Sequence, residues 1–380
     1  MVKLKYFLSK LLRPASGEHE PDKVLIFLIG ILLIFGLIML SGVSAVSAYM
    51  RSGDSYFYLK RQLVGISFGL IAFWIFSKIS YHNWKKWALW FLFFSLFLLI
   101  LVFIPGIGTS YGKAERWINI FGYSLQPSEF VKISFLLYLA AWLESRGRKL
   151  SDFYQGTGPF LIVLSLICVL MIMQPDLGTL CVITATSLIA YFVGGGKKSH
   201  IAIIILIGVI MVFAMTQVKP YMEHRFKCML DRSFSRDDIC YQVNQSLIAV
   251  GSGGWFGRGL GQSRQKFLYL PEVSGDSIFA IIGEEIGFIF SSLLIGLYFI
   301  IFYRGYLIAK KAPDVFGQIL AIGIASWIVI QALVNIGGMT TLIPMTGLPL
   351  PLISYGSSSI LATMIALGIL VNISKKTKIR

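Results

Sequence analysis

Four carboxylates crowd the stretch PEVSGDSIFAIIGEEIG, Pro271 to Gly287: Glu272, Asp276, Glu284 and Glu285. From Ile278 onward the same stretch reads as the start of an apolar helix. An aspartate at a water–lipid boundary, near bound cations, stays ionised and can act as a general base. On sequence alone the helix N-cap is the favoured reading of the same aspartate, and the base stands beside it as the alternative. Glu284 lies eight residues further on, about 12 Å deeper along a regular helix. It and Glu285 must face other protein groups, because ionised side chains in hydrocarbon are costly.

Other polar groups interrupt apolar sequence in a similar way. GKAERWINIFGYSLQPSEFVKI places Arg116-Trp117 where an interface would suit both residues. Glu129 and Lys132, three apart, share a helix face; they form either a structural ion pair or part of a site. In MQPDLGTL, Asp176 reads as a helix cap or as a direct participant. GSGGWFGRGLGQSRQKFLYLPE is glycine-rich and carries Arg258, Arg264 and Lys266. It lacks the Lys-Ser/Thr ending of a nucleotide loop, so a lipid-linked phosphate is its better ligand, against a plain flexible loop. TGLPLPLISYGSSS breaks its helix at Pro349 and Pro351 and either walls a polar cavity or is an ordinary loop; Ser354 is a supporting residue there. Cys168 and Cys181 read as buried apolar residues. Cys228 and Cys240 enclose a charged segment and are candidates for a disulfide, the alternative being two free thiols.

Elements that could hold such groups must be membrane helices. The chain has 380 residues, 56% hydrophobic and 14% charged, against about 25% charged in soluble domains. Apolar runs predict ten spans near 24–43, 62–77, 87–104, 128–143, 158–173, 177–193, 200–218, 278–303, 316–336 and 358–373. The first run is longer than the core of a secretory signal and is read as an uncleaved span. Twenty Lys and Arg fall on the side of the two termini and five in the short loops opposite. That asymmetry predicts both termini in the cytoplasm and assigns the net charge of +16 to anionic lipid headgroups rather than nucleic acid. The expected organisation is all-α and polytopic: a tail at 1–23, a ten-span domain at 24–373 with one large outer loop at 219–277 between spans seven and eight, and a tail at 374–380. That loop holds eight Lys/Arg and six Asp/Glu.

Together these segments resemble the SEDS (RodA/FtsW) family of bacterial shape, elongation, division and sporulation factors. The resemblance covers nearly all ten spans and rests on ERWI (115–118), QPSEF (126–130), QPDLGT (174–179), YQVNQSLIAVGSGG (241–254), GLGQSRQKFLYLPE (259–272), GDSIFAIIGEEIG (275–287) and GLPLPLISYG (347–356). GLGQSRQKFLYLPE is similar to the division branch. Two departures are visible: many members have Thr-Asp-Phe where this chain has Gly275-Asp276-Ser277, and a second Gly where it has Ser357.

The resemblance implies a peptidoglycan glycosyltransferase polymerising lipid II at the outer face of the bacterial cytoplasmic membrane. It places the family's essential aspartate on Asp276 as general base, and its characteristic Arg, Glu and Lys on Arg116, Glu129 and Lys132. Arg116, Lys132, Arg264 and Lys266 would then stabilise diphosphate, with Glu129, Asp176, Glu284 and Glu285 in support. Implied partners are a class B penicillin-binding protein (a transpeptidase), other division proteins and membrane lipids. A divalent cation, magnesium or manganese, could assist, but no ligand cluster demands one. Two other classes fit the same residues: a lipid II flippase, and a division scaffold without activity. Charges gathered on the outer side rather than at the midplane favour the enzyme over the flippase.

Overall fold

A computed structural model of the chain describes residues 19–377, apart from 107, 112–113, 121, 219 and 231–237. The basic positions counted above at 3, 5, 10, 13, 113, 378 and 380, most of the N-terminal tail, and the middle of the segment between Cys228 and Cys240 lie outside the described residues. Helices fall on all ten expected segments: α1 (Lys23–Val43), α3 (Phe57–Lys78), α4 (Tyr81–Leu101), α5 (Pro127–Arg146), α6 (Gly158–Met173), α7 (Leu177–Val193), α8 (Lys198–Val218), α11 (Ile278–Lys311), α12 (Val315–Met339) and α13 (Ser357–Ser374). The short α2 (Ala45–Ser52) links α1 to α3. Among the described residues, seven helices are long and apolar enough to cross a membrane, and α7 and part of α8 are shorter apolar helices.

α12 is the central post. It is buried almost all round and packs on α5, α7, α11 and α13. α13 lies along α3, and α4 along α5. Small residues allow close contact, the usual device where no water-driven force separates helix from helix in lipid. A Cβ on Gly368 of α13 would stand 2.8 Å from the Phe73 carbonyl of α3, and one on Gly305 of α11 would stand 2.3 Å from Ala325 Cβ of α12. Outside this core, α4, α8 and α11 expose rows of large apolar side chains, among them Phe93, Phe97, Ile203, Phe213, Phe290 and Leu293. Such a surface is one that lipid rather than water covers.

The two chain ends meet on one face of the bundle. His19 N–H donates to the Lys375 carbonyl at 2.6 Å and Asp22 N–H to Ser374 Oγ at 3.0 Å. Asp22 also caps α1 through Leu25 N–H (3.0 Å) and accepts from Arg304 of α11 (2.6–2.8 Å). The loops bearing the acids, the glycines and the prolines lie at the opposite face.

Three features depart from the all-helical expectation. The link from α4 to α5 folds as an antiparallel sheet, β1 (Gly108–Tyr111), β2 (Ala114–Ile120) and β3 (Tyr123–Leu125), in that order. Ile118 pairs with Gly108 on one side and Leu125 on the other. The turn into β3 is set by Gly122 (φ +81°), whose N–H donates to Asn119 Oδ1 at 2.9 Å, a side-chain turn typical of Asn. The 219–277 segment is not all loop: it contains α9 (Pro220–Leu230) and α10 (Asp238–Ser252), the latter packed on α11.

Third, α11 is not regular. Gly287 has φ +75° and ψ −175° inside it. The peptide groups freed there are taken up by the glycine-rich loop: Arg258 N–H and Gly259 N–H donate to the carbonyls of Glu284 and Glu285 (both 3.0 Å), while Phe288 N–H and Ile289 N–H donate to those of Gly254 and Trp255 (2.9 and 3.1 Å). Irregular backbone at membrane depth is tolerated when protein satisfies it in this way.

Candidate functional site

Asp276 stands two residues before α11, in a turn where the N–H groups of Gly275 and Ser277 both donate to the Glu272 carbonyl (3.0 and 3.3 Å). Other elements close on it. From α10, Gln242 Nε2 donates to Asp276 Oδ1 at 3.3 Å and to Ser277 Oγ at 2.9 Å. From α12, Asn335 Nδ2 donates to the carbonyls of Asp276 and Leu348, both at 2.7 Å. From the proline-rich segment, Gly347 (φ +75°) comes so near that a Cβ there would lie 3.7 Å from Asp276 Oδ2. The same segment is stitched to the turn by Tyr355 N–H, which donates to the Ser274 carbonyl at 2.8 Å. Ser354 closes that segment, its Oγ accepting from Leu350 N–H at 2.8 Å and its carbonyl from Gln62 at 3.0 Å.

Burial first, and then the charge of Glu272, pushes the Asp276 carboxyl from near 3.8 up to about 7, while Arg225 and the backbone N–H groups of Asp276 and Ser277 pull it down. Asp276 itself stays partly exposed at the rim. A base with a pKa near the working pH is the efficient kind.

Below Asp276, the two glutamates hold the glycine-rich loop. Glu284 accepts from Ser263 Oγ (2.5 Å), Arg264 N–H (3.0 Å) and Gln265 N–H (3.3 Å), with the Arg258 guanidinium 3.8 Å away. Glu285 accepts from Ser263 N–H (3.3 Å) and Lys266 Nζ (3.1 Å), and Lys266 also donates to the Gly261 carbonyl at 2.6 Å. The sequence suggested a loop whose donors cradle phosphate; the donors from 263 to 266 instead cradle two carboxylates of the chain itself. Of the cations assigned to diphosphate, Lys266 is buried in this ion pair and Arg264 keeps an exposed side chain.

Arg116 and Lys132 are likewise engaged. Arg116 donates to the carbonyls of Gln174 (3.1 Å) and Pro175 and lies 3.8 Å from Asp176. Asp176 caps α7 through Thr179 N–H (3.3 Å) and accepts from Ser128 Oγ (3.1 Å) and Gln126 Nε2 (3.4 Å). Arg116 and Asp176 thus tie the sheet, the start of α5 and the 174–176 turn together. Lys132 Nζ donates to Glu129 Oε1 (2.9 Å) and Gln331 Oε1 (2.7 Å) and sits 4.7 Å above the Trp327 ring. The void beside it measures only about 10 Å³, room for a water at most.

A groove of about 470 Å³ runs between α1, α11 and the glycine-rich loop, lined mostly by apolar side chains such as Phe35, Leu260, Phe290 and Leu293, with Glu285 among them. Cys228 and Cys240 are joined as a disulfide, Cα atoms 5.2 Å apart. Among the described residues no cluster of three or more His, Cys, Asp or Glu side chains could hold a metal ion.

Four contributors escaped the sequence reading: Arg225, Gln242, Gln331 and Asn335. One signal was available. Gln331 and Asn335 are two amides four residues apart in the otherwise apolar second half of α12, and polar side chains on one face of such a helix mark an interior contact.

The profile of the FtsW, RodA and SpoVE family, described as "Cell cycle protein", matches residues 22–379. Stage V sporulation protein E of Bacillus subtilis (strain 168) is 40% identical over 363 residues, covering 96% of this chain and 99% of that protein. A probable peptidoglycan glycosyltransferase FtsW of Trichlorobacter lovleyi is 38% identical over 370 residues, covering 97% of each. Among solved structures, a chain from work described as "Structural coordination of polymerization and crosslinking by a peptidoglycan synthase complex" superposes with a TM-score of 0.77 at 27% identity, over 93% of this chain and 97% of that one. The rod shape determining protein RodA of Thermus thermophilus gives 0.69 at 26% identity, over 95% and 98%.

Proposed function

This chain belongs to the FtsW, RodA and SpoVE family of cell cycle proteins, and from that premise we propose that it is a peptidoglycan glycosyltransferase that polymerises lipid II. It works from the bacterial cytoplasmic membrane as a ten-span protein, with residues 1–23 and 374–380 in the cytoplasm and the 219–277 segment outside. The meeting of the chain ends on one face and the excess of Lys and Arg on that side support this orientation.

The observation that carries the reading is Asp276: a carboxylate at the rim, raised toward 7 and oriented by neutral amides. In the reaction it takes the proton from the acceptor's GlcNAc 4-hydroxyl. That oxygen attacks the donor's anomeric carbon, and lipid diphosphate leaves with inversion. No second carboxylic acid is needed, because diphosphate leaves without protonation. Arg264, whose side chain is exposed, would meet the diphosphate. Arg116, Lys132 and Lys266 act from inside the wall, holding the 174–176 turn, α12 and the glycine-rich loop. The apolar groove between α1 and α11 suits a lipid-linked substrate. The relatives carry sporulation and division names alike; similarity in GLGQSRQKFLYLPE supports the division branch. A class B penicillin-binding protein is the natural partner, since crosslinking must follow polymerisation.

The break at Gly287 gives one observation to the flippase reading, because transporters use discontinuous helices. A single experiment decides. Purified protein and lipid II in detergent, with no second compartment, should yield glycan polymer, and Asp276→Asn should fold normally and yield none. Full activity in Asp276→Asn rules out the base; absence of polymer from wild type, with its partner supplied, rules out the enzyme.

A further inference from the structure

Asp276 is gripped from a hairpin whose cysteines lie outside the motifs that carry the family resemblance. α9 bears Arg225, whose guanidinium donates to the Met345 carbonyl and whose charge acts on Asp276. α10 bears Gln242, which donates to Asp276 Oδ1 and Ser277 Oγ. The Cys228–Cys240 disulfide joins these two helices, and both cysteines are 2% exposed. Cys228 is three residues past Arg225, so the two share a face of α9; Cys240 is two residues before Gln242. α9 packs chiefly on α8 and α10, so the bridge couples the helix of the cation to the helix of the amide.

We propose that Arg225 and Gln242 are positioning residues for Asp276, and that the Cys228–Cys240 bridge is the latch that holds both against it. Gln242 fixes Oδ1, which leaves Oδ2 turned toward Gly347, where no side chain stands in the way. Arg225 opposes Glu272 and keeps the carboxylate form available near neutrality. Among the described residues these two are the charged groups that act on Asp276; α10, α12 and the 345–356 segment face it with Gln242, Asn335 and backbone. The proposal rests on reading Asp276 as the base, but its test does not need that reading to hold.

The probe is a carbodiimide, which reacts with a protonated carboxyl. Labelling of Asp276 in the purified full-length protein is quantified by mass spectrometry across about pH 5 to 9. In wild type, labelling should fall with a midpoint near 7, the value burial gives this carboxyl. Arg225→Gln keeps a donor for the Met345 carbonyl and removes the charge. It should raise the midpoint by about one unit, the low end of what a nearby cation gives, and Arg225→Lys should restore it. Cys228→Ala/Cys240→Ala and Gln242→Ala should each move the midpoint the same way. A midpoint unmoved in Arg225→Gln overturns the proposal, as does lost polymerisation with an unmoved midpoint, which is what mere structural damage gives. An unmoved midpoint in a well-folded double-cysteine variant removes the latch. Should that variant fail to fold, wild type labelled after reduction with a phosphine decides on the latch, an unmoved midpoint in the reduced, folded protein removing it. Full activity in Asp276→Asn would defeat the base assignment while leaving any shift in labelling intact.

Discussion

Replacing Lys132 with methionine strands Glu129 inside the bundle. Glu129 is 0% exposed, its Oε1 accepts from Lys132 Nζ, and its Oε2 has no partner among the described residues. Removing one member of a buried ion pair costs about 3–5 kcal/mol, because the other charge is left uncompensated. Gln331 loses its ammonium donor as well, though Trp327 Nε1 still donates to it at 2.8 Å. At about 2 °C per kcal/mol for a long chain, Lys132→Met should melt roughly 6–10 °C below wild type. Glu129→Gln/Lys132→Met removes both charges of the pair and should regain most of that loss, so the double-mutant cycle should show strong coupling. The assay is thermal unfolding in detergent, run beside lipid II polymerisation. A double variant that is stable but inactive assigns the ammonium an electrostatic role on the substrate. A single variant melting with wild type, or a double variant no more stable than the weaker single, refutes the reasoning from burial.

Polymerisation should have an acidic limb near pH 7, falling about tenfold per unit below it, because Asp276 must be deprotonated to act. Its raised pKa means that the folded protein holds this proton where the unfolded chain has released it. The group therefore lowers stability as pH climbs from about 4 to about 7. Glu272→Gln removes a like charge and should shift the limb toward acid; a flat rate from about pH 5.5 to 8 would contradict both statements. Gly287→Ala should fail to yield monodisperse protein, since its Cβ would stand 2.2 Å from the Gly257 nitrogen at φ +75°, whereas Gly30→Ala meets nothing within 4 Å and should purify as wild type.

The helices were legible because lipid demands long apolar runs and leaves few alternatives. Asp276 drew attention because an acid at the edge of such a run needs a reason, but only the family resemblance, not the residues, set a base above a helix cap. What the sequence hid depends on residues far apart in the chain. The strands from 108 to 125 are short and half polar, so no run marks them. The ion pair of Lys266 with Glu285 joins two segments whose charges, read separately, suggested a ligand on one side and an unnamed protein partner on the other. Gln242 reads as any polar helix residue until α10 is laid against the turn before α11. Arg225 sits in a segment so rich in charge that one cation could not be singled out.

The break at Gly287 also bears on how the chain enters the membrane during synthesis. The apolar stretch after the break, residues 288–303, extends roughly 24 Å as helix, less than the roughly 30 Å hydrocarbon layer, and Arg304 beyond it is held by Asp22 at the face of the chain ends. Residues 278–286, with both glutamates, therefore supply the rest of the crossing, and on a lone helix acidic groups at membrane depth oppose insertion by a few kcal/mol each. The later portion can be threaded first. The earlier one settles only once the glycine-rich loop, made before it, has folded over it, with Lys266 paired to Glu285 and Ser263 Oγ and the Arg264 backbone N–H donating to Glu284. The helix start beneath Asp276 would then settle into the bundle late in biogenesis, and a nascent chain halted before the glycine-rich loop docks would be only partly inserted and inert.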